Sequence, residues 1–201
     1  MRGPLQLLVT VAMTATLALP ALASGSVPAL ASGSATSDAP DKSSACARWG
    51  KTSPSKLTNG QARDAILCLV NRKRANAGLP ALARNKRLQK AAQRHTGKMS
   101  GTGCFDHQCA GEGALGARLE SVDYLTGGLL RWAYGENIAW GMDARGKPST
   151  IVKAWMNSPG HRANIISGQF REIGVGFVSG TPSNSNANGG IYTTDFGLRV
   201  G

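Results

Sequence analysis

Acidic side chains are scarce in this 201-residue chain: 11 Asp and Glu stand against 23 Lys and Arg, a formal net charge of +12. No recognised nucleic-acid-binding motif accompanies that charge, which argues against DNA or RNA as the partner. Long apolar runs are also lacking. After residue 23 no stretch approaches the roughly 20 apolar residues that span a bilayer, so no transmembrane anchor is expected once the N-terminal segment is removed. Cysteine is limited to four residues and no C-x-x-C occurs, which disfavours zinc held by thiolates. Histidine is scarcer still, with three, at 95, 107 and 161.

What is present begins with "MRGPLQLLVTVAMTATLALPALA", residues 1–23. One arginine, an apolar middle and an A-L-A end describe a secretory signal peptide cleaved after Ala23 and place the mature protein outside the cell. "PALASGSV" at 20–27 recurs as "PALASGS" at 28–34, so a second A-L-A at 29–31 competes as the cleavage point. Residues 24–45 contain almost no large apolar side chain and read as a flexible tether, because such a segment cannot bury enough surface to offset its chain entropy. From Cys46 to Gly201 the length suits one domain.

Four cysteines in an exported chain imply two disulfides, with three connectivities open. Cys104 and Cys109 bracket "FDHQ" and pair locally, which leaves Cys46 with Cys68. The charge is concentrated as well: residues 63–98 hold ten Lys and Arg and a single acid, Asp64. That pattern predicts a basic face on two adjacent helices. Outside a cell its counterparts are anionic envelope polymers and lipid headgroups, unless the face merely keeps the protein soluble.

"TNGQARDAILCLVNRKRANAG" opens on a capping box, Thr58 with Gln61, and carries Ala62, Ile66, Leu69 and Val70 at helical spacing. "NKRLQKAAQRHTGKM" predicts a second helix capped by Asn85, with Leu88, Ala91, Ala92, His95 and Met99 on one face, which gives His95 a structural role in the core. Shorter helices are expected at 114–122 and 149–157. In "REIGVGFV" the alternation sets Ile173, Val175 and Phe177 on one side. Glu172, Gly174 and Gly176 take the other, a face bare enough for something to lie close against it. "GGIYTTDFG" at 189–197 pairs with it. Early helices, late antiparallel strands and a helix between them predict an α+β layered domain.

In "MNSPGHRANI", Ser158 and Pro159 read as N-cap and N1 of a helix, which places His161 at N3. Unsatisfied N–H groups there favour neutral imidazole, the form that ligates metal or accepts a proton. Four stretches then stand together: "CFDHQC" with His107, "YGENIAWG" with Glu136, "NSPGHRANI" with His161 and "REIGVGF" with Glu172. With the "LVNRKRANAGLPALARNKRLQKAAQRH" opening, they resemble the CAP superfamily of cysteine-rich secretory, antigen 5 and pathogenesis-related 1 proteins, and more closely its bacterial SCP-like branch, over 58–197.

The resemblance implies a three-layer α-β-α sandwich with a central, mainly antiparallel sheet, and an open cleft holding His107, Glu136, His161 and Glu172. It also implies a weak divalent-metal site, zinc for example, on His107 and His161. Thr194 departs from the glutamine usual in relatives and alters the cleft's polar wall. The chain lacks the cysteine-rich C-terminal extension of animal members, so their channel-directed activities do not carry over.

These features lead to a secreted, monomeric protein whose cleft binds a lipid or other small extracellular molecule. A metal-dependent hydrolase, peptidase-like, is the alternative, with Glu136 and Glu172 as its acid–base carboxylates. Binding of anionic envelope polymers through the basic face is the third reading. Serine catalysis is disfavoured because Ser158 is explained as a helix cap rather than as a partner of His161.

Overall fold

The computed structural model describes residues 5–16 and 42–201. Residues 17–41, which include most of the expected tether and the expected cleavage points, lie outside the described residues. Within the stretch read as a leader, Leu5–Thr16 forms strand β1. Helix α1, Lys42–Trp49, starts four residues ahead of Cys46. Then come a short 3-10 turn at Pro54–Lys56, α2 at Asn59–Asn76, β2 at Ala83–Arg84 and α3 at Lys86–Thr102. The chain continues through α4 at Leu115–Glu120, β3 at Arg131–Met142, α5 at Asp143–Gly146, α6 at Pro148–Asn157 and α7 at Pro159–Ile165. It ends in β4 at Glu172–Ser179 and β5 at Gly189–Val200.

The strands make one sheet in the order β1-β3-β5-β4-β2, antiparallel except where β2 joins β4. One face carries Ile173, Val175, Phe177, Tyr192 and Phe196. These pack with Ile66, Val70, Ile151, Trp155 and Ile165 from α2, α6 and α7 into the main core. The other face meets α3 and α4 through Leu88, Ala91, Leu115, Leu119 and Tyr124. The result is the α-β-α sandwich that the motifs implied.

Local chemistry explains the elements. The capping box of α2 forms as read: the Thr58 N–H donates to Gln61 Oε1 at 2.9 Å and the Gln61 N–H to Thr58 Oγ1 at 3.2 Å. Asn85 caps α3 by accepting from the N–H groups of Arg87 and Leu88. The bare stripe on β4 is covered by α3 itself. A Cβ at Gly174 would lie 2.1 Å from the Leu88 carbonyl carbon, and one at Gly176 would lie 2.4 Å from the Ala92 oxygen, so only glycine lets helix and strand approach this closely. Both disulfides take the expected pairing, with Cα–Cα separations of 5.5 Å for Cys46–Cys68 and 5.9 Å for Cys104–Cys109.

Two expectations are corrected. Arg74, counted on the basic face, is fully buried, and its guanidinium donates to the carbonyls of Pro80, Ile165, Ser167 and Phe170. It ties the end of α2 to the segment after α7 and leaves the surface one cation poorer. Ser158 sits at the N-cap of α7 but makes no side-chain cap bond; its Oγ lies 2.8 Å from His161 Nδ1 instead. Proximity along the first turn outweighs capping there, because the imidazole reaches back over the helix start.

Candidate functional site

Glu136 occupies the middle of β3, fully buried, with its side chain on the α3 face. Three elements converge on it. The disulfide-closed loop after α3 brings His107, whose Nδ1 lies 2.7 Å from Glu136 Oε1. Helix α4 brings Arg118, whose Nη2 donates to both carboxylate oxygens at 2.9 and 2.8 Å and to the His107 carbonyl at 3.1 Å. Helix α3 brings His95, its Nε2 at 3.9 Å from Glu136 Oε2. His95 Nδ1 lies 2.8 Å from Glu112, which also accepts from the Cys109 N–H. His95 is thus buried and hydrogen-bonded, in keeping with its place on the apolar face of α3.

The electrostatics follow from this packing. Burial alone would raise the Glu136 pKa, but the hydrogen bond from His107 and the charge of Arg118 overcome it and hold the carboxyl at about 2. Asp195, opposite Glu136 on β5, goes the other way: burial first, then the adjacent Glu136 charge, push it well above its ordinary value against the opposing charge of Arg118. Burial also keeps His95 neutral by lowering its pKa. Two neighbouring carboxyl groups are therefore shifted in opposite directions, Glu136 down and Asp195 up.

The four residues singled out in the sequence do not form one compact group. His107 and Glu136 are in direct contact. His161 belongs to α7 on the opposite face, where Asn137 Nδ2 donates to its carbonyl oxygen and Asn164 Nδ2 donates to the Glu136 carbonyl oxygen, so α7 is tied to the same stretch of β3 that carries Glu136. Glu172 lies two strands away, roughly 10 Å by ordinary strand spacing. It accepts instead from Asn85 Nδ2 at 2.7 Å and from the Tyr124 hydroxyl at 2.8 Å. Thr194 pairs in register with Asn137, not with Glu136, so the departure from glutamine falls on the other face of the sheet. Glu112, Arg118 and Asp195 are the members that sequence reasoning missed.

The residues fit a divalent ion in part. In each imidazole Nδ1 is engaged, by Glu136 for His107 and by Ser158 for His161, which is the way metal-binding histidines are oriented for ligation through the other nitrogen. His107 Nε2 is buried and, among the described residues, has no hydrogen-bond partner. Among the described residues, no group of three or more His, Cys, Asp or Glu is arranged to hold a metal. An ion held by both imidazoles would take its remaining ligands from solvent.

The family model described as CAP, the cysteine-rich secretory protein family, matches residues 67–196. The chain belongs to the CAP family. A Bacillus subtilis protein, YkwD, is 35% identical over 131 residues, covering 65% of this chain and 45% of its own length. This CAP chain thus spans less than half of that relative. Among solved structures, an extracellular SCP-domain protein of Bacillus anthracis matches with a TM-score of 0.55 at 28% identity, over 69% of this chain and 40% of its own. An outer surface protein of Borrelia burgdorferi shares the CAP fold at a TM-score of 0.53 and 23% identity, over 65% of this chain and 87% of its own.

Proposed function

We propose that this CAP protein acts outside the cell as a ligand-binding protein rather than a hydrolase, with its cleft at His107 and a weak divalent-metal site on His107 and His161. The observation that carries the reading is the commitment of Glu136. Both its oxygens accept from Arg118 and one meets His107, and at a pKa of about 2 it is a poor proton acceptor. A general base needs an oxygen open to water and a pKa near the working pH. Glu136 organises the site instead: it sets the imidazole of His107, whose ring is 18% exposed at the edge of the buried network. Bound there, an ion would supply Lewis acidity and an anchoring point for a ligand oxygen.

Supporting an extracellular setting are the leader-like N-terminus, the two disulfides and the extracellular or outer-surface relatives. No helix among the described residues is long and apolar enough to cross a membrane. The ligand class that suits the site is a small molecule or lipid, taken up by a monomer. Calorimetric titration of Zn²⁺ near neutral pH and near pH 5.5, beside a His107→Ala/His161→Ala variant, tests the reading. Saturable binding that disappears in the variant and weakens in acid, where imidazole protonates, is expected. No saturation by the unaltered protein overturns the metal site.

A further inference from the structure

We infer that the cavity between α3 and α4 binds an oxyanion headgroup carried on a small apolar body. The cavity, about 320 Å³, is lined by Arg118 but by neither Glu136 nor His107. Ala91 and Ala117 contribute methyl groups to its wall, and Arg94 and Lys98 contribute aliphatic stems that end in charge.

The decisive feature is Arg118. Its side chain is only 8% exposed, and the Nη2 group is spent on Glu136 and the His107 carbonyl. Among the described residues Nε and Nη1 have no hydrogen-bond partner, and both lie just beneath the cavity surface, so an acceptor reaches them when α4 shifts outward. An unsatisfied buried donor costs about 1–3 kcal/mol, so in native proteins such a donor meets an acceptor, from water or from a ligand. Glu112, the carboxylate in the same wall, does not serve: its Oε1 is 3.8 Å from Arg118 Nε, beyond hydrogen-bond range, and its oxygens already accept from His95 Nδ1 and the Cys109 N–H. A carboxylate or phosphate offers the acceptor geometry that a guanidinium fork matches.

The surroundings favour negative charge. Arg94 and Lys98 stand at the cavity and extend a row with Lys86 and Lys90 at four-residue spacing along α3. At the helical rise that row is about 18 Å long, a track whose field steers anions toward Arg118. It also gives the basic face a destination that composition alone did not reveal.

The test is calorimetry with sodium hexanoate and, separately, inorganic phosphate at low salt. The variants are Ala117→Phe, which fills the cavity from an exposed position, and Arg94→Gln/Lys98→Gln, which removes rim charge and leaves Arg118 in place. Expected are saturable binding by the unaltered protein and about tenfold or greater weakening by Ala117→Phe. The double variant should weaken binding by about threefold to tenfold, a difference that shrinks as salt rises. Both variants should leave Zn²⁺ titration unchanged, which separates this site from the His107 cleft. Saturation by phosphate alone assigns a phosphoryl ligand, and saturation by hexanoate alone a carboxylate. Failure of both anions to saturate, or binding undiminished in Ala117→Phe, overturns the inference.

Discussion

Glu136→Gln and Asp195→Asn remove one buried carboxyl each from adjacent strands, yet opposite outcomes are expected. Glu136 titrates at about 2 in the folded protein against an ordinary 4.5. At ~1.4 kcal/mol per tenfold change in proton affinity, that difference contributes about 3 kcal/mol to stability at neutral pH. Because the folded value is the lower one, the contribution is complete above the ordinary value and is lost as pH falls through about 2. Gln keeps the shape but removes the charge, leaving Arg118 buried without its anion. Removing one partner of a buried pair costs about 3–5 kcal/mol, and the amide oxygen still accepts one bond, so the lower end applies.

Asp195 runs the other way. Its folded pKa lies above the ordinary 3.8, so its contribution is present below that value and is lost as pH rises through the folded one. Asn, which cannot ionise, should therefore cost no more than about 0.5 kcal/mol at pH 7, or stabilise. Urea unfolding of the three proteins across acid to neutral pH measures both differences. Equal losses for the two variants, or a Glu136→Gln loss below about 1 kcal/mol, would refute the opposed shifts.

Three further outcomes are expected. Arg74→Ala strips the donors from four carbonyls and should lower stability by about 3–5 kcal/mol, read as a large fall in the denaturant midpoint, whereas alanine at exposed Arg87 should stay within about 0.5 kcal/mol. Opening Cys104–Cys109 by paired serine substitutions should cost about 2 kcal/mol in the chain-entropy account and weaken Zn²⁺ binding as well, because the ring positions His107. Gly176→Ala drives a methyl into Thr96 Oγ1 and the Ala92 carbonyl; α3 must shift, and a cost of about 1–3 kcal/mol should show in thermal melts.

The sandwich was legible where a helix or strand signalled itself locally. Thr58 with Gln61, Asn85, the apolar faces of α2 and α3, and the alternation in β4 each carry their own evidence within a few residues. Strand β3 was not legible. Its centre is buried on both faces, so alternation disappears, and it carries Glu136 and Asn137 where a strand core ordinarily carries aliphatics. Strand β2 is two residues long and exists only because it pairs with β4.

The charged network escaped for a different reason. Arg118 sits 18 positions before Glu136, and Asp195 is opposite that residue only by sheet register. No spacing rule joins an arginine on a six-residue helix to a carboxylate on a later strand. Glu172 misled in the opposite sense. The glycines beside it were read correctly as a close approach, but the neighbour that fills the space is α3.

That close approach governs how the Arg118 cavity can change shape. Strand β4 and α3 meet backbone to backbone at Gly174 and Gly176, so the wall that carries Ala91, Arg94 and Lys98 has little room to shift. The facing wall is α4, six residues long and joined by loops on both sides. Any widening of the cavity must therefore be a displacement of α4, and because α4 also carries Arg118, such a movement would draw on the Glu136 ion pair. Admission of a bulky guest and the charge balance of the buried carboxyls are thereby placed on a single mechanical coordinate.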